Sequence, residues 1–291
     1  MDTDKGRHYI IMTNRPKDPG LEVTERIRRY LEERGADCTV FAGNEDADQI
    51  RLQNGKSMSE ACCMIVLGGD GTMLKAARET ASSGLPLLGV NLGTMGYLAE
   101  VDLSALDTAL DRLLAGQYTI EKRMMLSGRA LCEKADDNED CIYVLNDVTI
   151  TRKGSLQIIR FRIWVNGQVL NSYEADGIVI ATPTGSTGYN MSAGGPIVEP
   201  GASLILLTPV CPHTLNNRSI VLRADDVVEV EIGEKWSGQV QEVEVNFDGS
   251  RQRVLRSGDR IRVTRSEKTT SIMKLSELSF VERLHRKMSE S

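Results

Sequence analysis

The chain has 291 residues, with 35 lysines and arginines against 41 aspartates and glutamates, a formal net charge of −6. That length holds one large domain or two smaller ones, and the acidic balance weighs against nucleic acid as a partner. No apolar run approaches the roughly 20 residues that cross a bilayer, so no membrane partner is expected, whereas a small anionic ligand needs only local positive charge.

The cysteines (Cys38, Cys62, Cys63, Cys132, Cys141 and Cys211) show neither CxxC nor metal-finger spacing and read as reduced packing residues. Residues 1–5 are polar, with no basic stretch leading into an apolar core, so no signal peptide is expected and a cytoplasmic location fits.

Along the chain, 9–13 reads as a strand. Residues 21–34 read as a helix, with Val23, Ile27, Tyr30 and Leu31 on one face and Gly35 as its stop. A second strand at 38–41 precedes a polar segment, 43–60. A third strand begins at Cys62 and runs into Gly68-Gly69-Asp70-Gly71-Thr72 and a helical stretch over 72–82. A strand at 87–90 and a helix at 104–115 complete an alternation that implies a parallel sheet. Past Gln117 the pattern turns to strands, at 124–131, 142–151, 158–165 and 177–181, then 219–222, 227–232, 240–247 and 260–264. Asn166-Gly167 is a two-residue hairpin signal, and 136–140 reads as an acidic hairpin tip. Helical spacing returns at 278–288. We therefore expect an α/β domain over 1–118, to which a C-terminal segment, 270–291, docks back, and a β-rich domain over 119–269.

Three segments carry chemistry. The first is the glycine turn. It lacks the Gly-Lys-Ser/Thr ending of a P-loop, and no GxGxxG follows the first strand. Its bland reading is a tight strand-to-helix turn. Its functional reading is a loop whose amides, at a helix start, hold phosphate oxygens, with Asp70 orienting or deprotonating an attacking hydroxyl. Lys75, one turn on, meets either a phosphate or solvent. The second runs from Asp176 through Thr182-Pro183-Thr184-Gly185-Ser186-Thr187-Gly188-Tyr189-Asn190-Met191-Ser192 to Pro196. An apolar strand there enters a dense set of hydroxyls and glycines, with Tyr189 able to stack on a base. The third is Asn146-Asp147 inside a β run. It is either a bulge or turn, or a polar pair that accepts from sugar hydroxyls.

Together these segments resemble the NAD kinase family, along with Asn91-Leu92-Gly93-Thr94-Met95-Gly96-Tyr97-Leu98 and Cys211-Pro212-His213-Thr214. The resemblance covers nearly the whole chain. It implies a fold of the NAD kinase/diacylglycerol kinase kind: an N-terminal, Rossmann-like three-layer α/β domain and a β-rich, dinucleotide-binding C-terminal domain. It also implies transfer of the ATP γ-phosphoryl group to the adenosine-ribose 2′-hydroxyl of NAD, with Mg²⁺ held chiefly by the nucleotide phosphates. Carried over by position, Asp70 is the catalytic aspartate. Gly68, Gly69, Gly71, Thr72, Lys75, Tyr97, Asn146, Asp147, Asp176, Thr187, Gly188, Tyr189, Asn190, Met191 and Ser192 are the nucleotide contacts, and no protein residue is assigned to a metal. A homo-oligomer, dimer or tetramer, is implied. The Gly-Gly-Asp-Gly piece is shared with lipid and sugar kinases, so a kinase of that kind is the alternative enzyme reading, and a non-catalytic dinucleotide sensor is the alternative outside enzymes.

Overall fold

The computed structural model describes residues 7–42, 58–93, 96–132, 141–154, 158–214, 218–235, 237–276 and 278–289. The tip expected at 136–140 and most of the polar segment 43–60 lie outside them. The chain forms two compact units, Met1–Lys122 with Thr269–Ser291, and Arg123–Lys268.

The first unit contains β1 (His8–Thr13), α1 (Glu22–Glu32), β2 (Asp37–Ala42), β3 (Cys63–Gly68), α2 (Asp70–Thr80), β4 (Leu87–Asn91), β5 (Val101–Asp102) and α3 (Leu106–Leu114). The strands are parallel, in the order β2-β1-β3-β4, with β5 on the edge of β4. β1, β3 and β4 read as unbroken apolar runs because both of their faces are covered. On one face, Ile11, Ile65, Leu67 and Val90 pack with Ile27 and Leu31 of α1 and Leu106 and Leu110 of α3. On the other lies α2, so close that a Cβ on Gly89 would stand 2.9 Å from the Met73 sulfur. The result is the three-layer α/β arrangement expected. The strand order reverses about β1, since β2 lies to one side of it and β3 to the other. The loops that leave β1 and β3 therefore diverge and open a crevice at the carboxyl ends of the strands.

The second unit is antiparallel. Its strands are β6 (Thr119–Leu131) from Arg123 on, β7 (Ile142–Val144), β8 (Asp147–Arg152), β9 (Ile159–Val165), β10 (Gln168–Ala175), β11 (Gly177–Ala181), β12 (Leu204–Val210), β13 (Ile220–Arg223), β14 (Val228–Ile232), β15 (Glu242–Phe247), β16 (Arg251–Arg256) and β17 (Arg260–Lys274) as far as Lys268; the end of β17 belongs to the first unit, where Ile272 lies beside Leu87 of β4 in parallel pairing. One sheet has the order β13-β12-β11-β8-β15-β16. Alternate residues of it (Val148, Ile150, Ile178, Ile180, Val243, Val245) pack against Phe161, Ile163, Val228 and Val230 of the facing strands β9 and β14. The Asn166-Gly167 hairpin forms as the dipeptide predicts, with φ of 51° and 77° at its two central residues. Between β11 and β12 lie a 3-10 turn, Thr184–Thr187, and a single helical turn, α4 (Tyr189–Ser192).

Several elements differ from the sequence expectation. α2 begins at Asp70 rather than two residues later. The run expected over 142–151 breaks at Leu145 and Asn146, between β7 and β8. Strand β12 was not expected, and its Pro209 argues against a strand by pattern alone. The structure accommodates it because β13 pairs with β12 only over Leu204–Leu207, so the proline needs no donor on that side. β16 is likewise an addition, and β6 and β17 are longer than expected. The last helix, α5 (Phe280–Ser289), starts with a reciprocal cap. Ser279 N and Oγ donate to Glu282 Oε2, and Glu282 N donates back to Ser279 Oγ.

Candidate active site

The crevice at the reversal of strand order is a cleft of about 450 Å³ lined by Thr13, Asn14, Arg15, Lys17, Gly69, Asp70, Gly71, Thr72 and Lys75. β3 ends at Gly68, Gly69 is the extended residue ahead of α2 with φ −133° and ψ −167°, and Asp70 opens the helix. The amides of the first turn of a helix have no partner within it and carry partial positive charge. Glycine is required where the turn is tightest: a Cβ on Gly68 would lie 2.2 Å from Thr72 Oγ1. Thr72 Oγ1 accepts from Asn14 Nδ2 at 3.1 Å, which ties the loop after β1 to the glycine turn. Three cations (Arg15, Lys17 and Lys75) line the cleft, and a Cβ on Gly69 would stand 3.1 Å from Lys17 Nζ.

The Asp70 side chain does not cap its own helix. It turns to the segment after β4, where Tyr97 N donates to Oδ2 at 2.9 Å and Leu98 N to Oδ1 at 3.1 Å. Each oxygen keeps a second lone-pair direction. The fit requires Gly96, because a Cβ there would fall 1.9 Å from Asp70 Oδ1. The Tyr97 hydroxyl is pushed up from its usual pKa by burial and then by the charge of Asp70. Thr94 and Met95 of the same segment lie outside the described residues.

In the second unit the corner between β7 and β8 is built around one carboxylate. Asp248 accepts from Leu145 N at 2.9 Å, Asn146 N at 2.8 Å and Asp147 N at 3.1 Å. It sits at φ 49°, and its own N–H donates to Asp147 O at 3.1 Å. Thr182 completes the corner from the hydroxyl-rich segment, donating Oγ1 to Leu145 O at 2.6 Å and N to Asn146 O at 2.8 Å. Gly185 passes so near that a Cβ on it would lie 2.2 Å from Asn146 O. Gly188 adjoins the pair of side chains: a Cβ there would be 3.2 Å from Asn146 Nδ2 and 3.9 Å from Asp147 Oδ2.

The corner is polar and under-satisfied. Among the described residues Asn146 Oδ1 is buried without a hydrogen-bond partner. Asp147 is 6% exposed, and burial, followed by the charge of Asp248, pushes its carboxyl up to about 7. A buried acceptor with no donor costs free energy that a ligand hydroxyl can recover.

The remaining sequence-predicted residues divide. Tyr189 and Met191 are 43% and 39% exposed, presenting an aromatic ring and a thioether outward, and Ser192 is exposed beside them. Thr187 is half-buried, with its hydroxyl on Thr184 O at 3.3 Å. The Asn190 side chain points into the fold. It is fully buried, with Nδ2 donating to Ser186 O and Pro196 O and Oδ1 accepting from Thr208 Oγ1 at 2.7 Å, so it locks the segment to β12. Asp176 does not join the Asn146–Asp147 corner either. β8 and β11 run antiparallel, with Asp147 beside Ala181 and Thr151 beside Gly177, so Asp176 lies roughly 17 Å of strand away. It is paired there with Arg152 at 3.1 Å.

Sequence reasoning missed Asn14, Lys17, Gly96 and Asp248. The first two follow a strand end that carries no glycine motif. Gly96 stood within the 91–98 string quoted for the family resemblance but was given no role of its own, and Asp248 followed a β run with no signal that it would close a distant corner. A second cleft, of about 460 Å³ on the second unit, is lined by Arg160, Arg162, Glu174, His213 and Glu231. Its charges are partly spent on each other, as in Arg160–Glu174 at 3.2 Å, and of the strings quoted from the sequence it contains His213 and Thr214 of the 211–214 string.

An anion cradle and a lone carboxylate in one cleft suit transfer of a phosphoryl group to a hydroxyl, and a nucleotide-dependent kinase is the class of protein that this fold and cleft define. Family models of the ATP-NAD kinase N-terminal domain and the ATP-NAD kinase C-terminal domain match residues 10–118 and 145–275. An NAD kinase of Lachnospira eligens is 40% identical over 97% of this chain and 100% of its own length, and one of Agathobacter rectalis is 41% identical over 97% and 98%. The chain belongs to the ATP-NAD kinase family. A crystal structure of yeast NADH kinase complexed with NADH superposes with a TM-score of 0.82 at 23% identity, covering 99% of this chain and 89% of that one. An NAD kinase from Archaeoglobus fulgidus in complex with ATP gives 0.77 at 21% identity, covering 98% and 99%. At those identities the two structures establish the fold. Among the described residues no helix is long and apolar enough to cross a membrane.

Proposed function

We propose that Asp70 is the carboxylate through which this chain phosphorylates NAD, passing the ATP γ-phosphoryl group to the adenosine-ribose 2′-hydroxyl. The observation that carries the reading is the setting of Asp70: two main-chain N–H groups fix its carboxylate beside a cationic, glycine-lined helix start. The acceptor hydroxyl donates its hydrogen to a free lone pair of Asp70, which aims the oxygen at the γ-phosphorus. The new O–P bond forms as the bond to the β-phosphate oxygen breaks, ADP leaves, and the proton passes to Asp70 and on to solvent. In a loose transition state that proton leaves late, so orientation outweighs basicity. The first-turn amides of α2, with Gly68, Gly69, Gly71 and Thr72 shaping the approach, hold phosphate oxygens, and Lys17 and Lys75 offset the charge developing on them.

Among the described residues no group of three or more histidine, cysteine, aspartate or glutamate side chains is arranged to hold a metal ion. We take Mg²⁺ as part of the substrate, bound by the triphosphate and its waters, as hard cations that dehydrate reluctantly are.

Asn146 and Asp147 supply acceptors for paired sugar hydroxyls. Gly188 leaves room beside them, and Tyr189 offers a ring for a base to stack on. Asp176, at the far end of the strand, would serve another part of the dinucleotide. Tyr97 contributes its main chain by holding Asp70. A homo-oligomer is carried from the family resemblance, and sedimentation velocity reads it directly. The test of the central claim is Asp70→Asn assayed with NAD, ATP and Mg²⁺. kcat should fall by about 10²–10⁴ while NAD still binds, and a normally active variant would remove Asp70 from the mechanism.

A further inference from the structure

The amides that hold Asp70 belong to a segment that is itself held from the far end of the chain. Glu100, two residues past Leu98, has a carboxylate only 1% exposed. It receives Lys274 Nζ at 2.9 Å, Arg283 Nη2 at 2.6 Å, Ser276 N at 3.1 Å and the Ser276 hydroxyl. Burial opposes its charge, but Lys274, Ser276 and Arg283 together more than offset that and keep its pKa below the ordinary range. Arg283 also donates Nη1 to Ala99 O at 3.1 Å. One helical turn further along α5, the Lys287 ammonium lies 5.4 Å from the centre of the Tyr97 ring. The C-terminal helix thus touches residues 97, 99 and 100, and the main chain at 97 and 98 grips Asp70.

Simple docking of a helix is served by apolar side chains. Among the described residues of α5 the one that is buried is a charged one, Arg283. Burying a guanidinium costs free energy and is tolerated where its partners are fixed in register. Its two partners, the Ala99 carbonyl and the Glu100 carboxylate, directly continue the strip that orients Asp70.

We propose that Arg283 is a positioning residue for the reaction, setting the Asp70 carboxylate through the 97–100 main chain. The inference rests on the reading of Asp70 given above. Arg283→Ala leaves Glu100 short of a partner and frees Ala99 O, so the amides at 97 and 98 shift and the carboxylate with them. A displacement on the order of 1 Å at a reacting group can cost about 10²-fold.

The experiment measures kcat and both KM values for wild type, Arg283→Ala, Arg283→Lys, Asp70→Asn and the Asp70→Asn/Arg283→Ala double variant. Exposed Arg286→Ala serves as the control on the same helix, and thermal melts accompany each protein. kcat should fall about 10–100-fold in Arg283→Ala and by less in Arg283→Lys, which keeps a charge beside Glu100 but reaches one partner at a time, with each KM held within about twofold. The double variant should be no slower than Asp70→Asn alone, because Arg283 then has no working carboxylate to orient. If Arg283→Ala does not fold, Arg283→Lys decides: a lower kcat at steady KM supports the proposal, and an unchanged kcat overturns it. A rise in both KM values with kcat intact also overturns it. An active Asp70→Asn would instead strike the underlying reading, and that result is distinct from an inactive Asp70→Asn paired with fully active Arg283 variants.

Discussion

The main-chain N–H of Asn146 donates to Asp248 Oδ1 at 2.8 Å across 102 residues of sequence, and the neighbouring amides of Leu145 and Asp147 point at the same carboxylate. Asp248→Asn keeps the shape but removes the charge and turns one acceptor oxygen into a donor. Hydrogen bonds to a charged acceptor contribute about 1.5–3 kcal/mol each, so stability should fall by a few kcal/mol. KM for NAD should rise about tenfold or more while kcat changes less, because the corner binds rather than reacts. Steady-state kinetics with a denaturant melt measures both, and an unchanged KM would sink the idea.

Gly96→Ala places a methyl group where the Asp70 carboxylate lies, 1.9 Å from Oδ1. The carboxylate must move, so kcat should drop by about 10² or more. NAD and ATP should bind as before. Equilibrium binding beside turnover separates the two effects.

Asp147 titrates near pH 7 in the folded chain because it is buried and then because Asp248 is close. Its folded pKa lies above the unfolded value of about 3.9, so the folded state binds the extra proton and stability declines as pH rises from about 4 to about 7. Asp147→Asn should abolish that decline and raise the stability of the ligand-free protein at pH 8, by up to about 4 kcal/mol. Sugar hydroxyls donating to Asp147 favour its ionised form, so NAD should bind more tightly as pH rises through 7 and should release protons on binding at pH 6.5. Calorimetry in buffers of different ionisation enthalpy measures that release, and its absence would exclude Asp147 as the acceptor.

Lys17 stands over the glycine turn, and among the described residues it forms no ion pair, so its charge is open to an anion. Lys17→Ala should raise KM for ATP about tenfold and leave KM for NAD alone. A selective rise in KM for NAD would assign the lysine to the other substrate.

Acid should loosen the strip that holds Asp70. The Glu100 pKa is depressed in the fold, so its contribution to stability is complete above the unfolded value of about 4.3 and disappears as pH falls through the lower folded value. Glu100→Gln should remove that part of the acid transition, which circular dichroism between pH 5 and 2 would follow.

Much of this molecule was readable along the chain because the governing physics is local. An apolar run ending in Gly68-Gly69-Asp70-Gly71-Thr72 specifies a buried strand, a turn only glycine can make, and a helix start that favours anions. Asn166-Gly167 specified its hairpin, and helical spacing over 278–288 marked the last helix. What the tertiary structure alone decided is where distant groups meet. The Asp70 oxygens are held by amides 27 and 28 residues away, the Asn146–Asp147 corner by Asp248 from more than 100 residues away, and Glu100 by Arg283 from 183 residues away. Composition and periodicity register which face a residue buries. They carry no record of which carboxylate a folded chain will set against a given amide, and that pairing is what turned Asn190 inward, separated Asp176 from Asp147, and aimed Asp70.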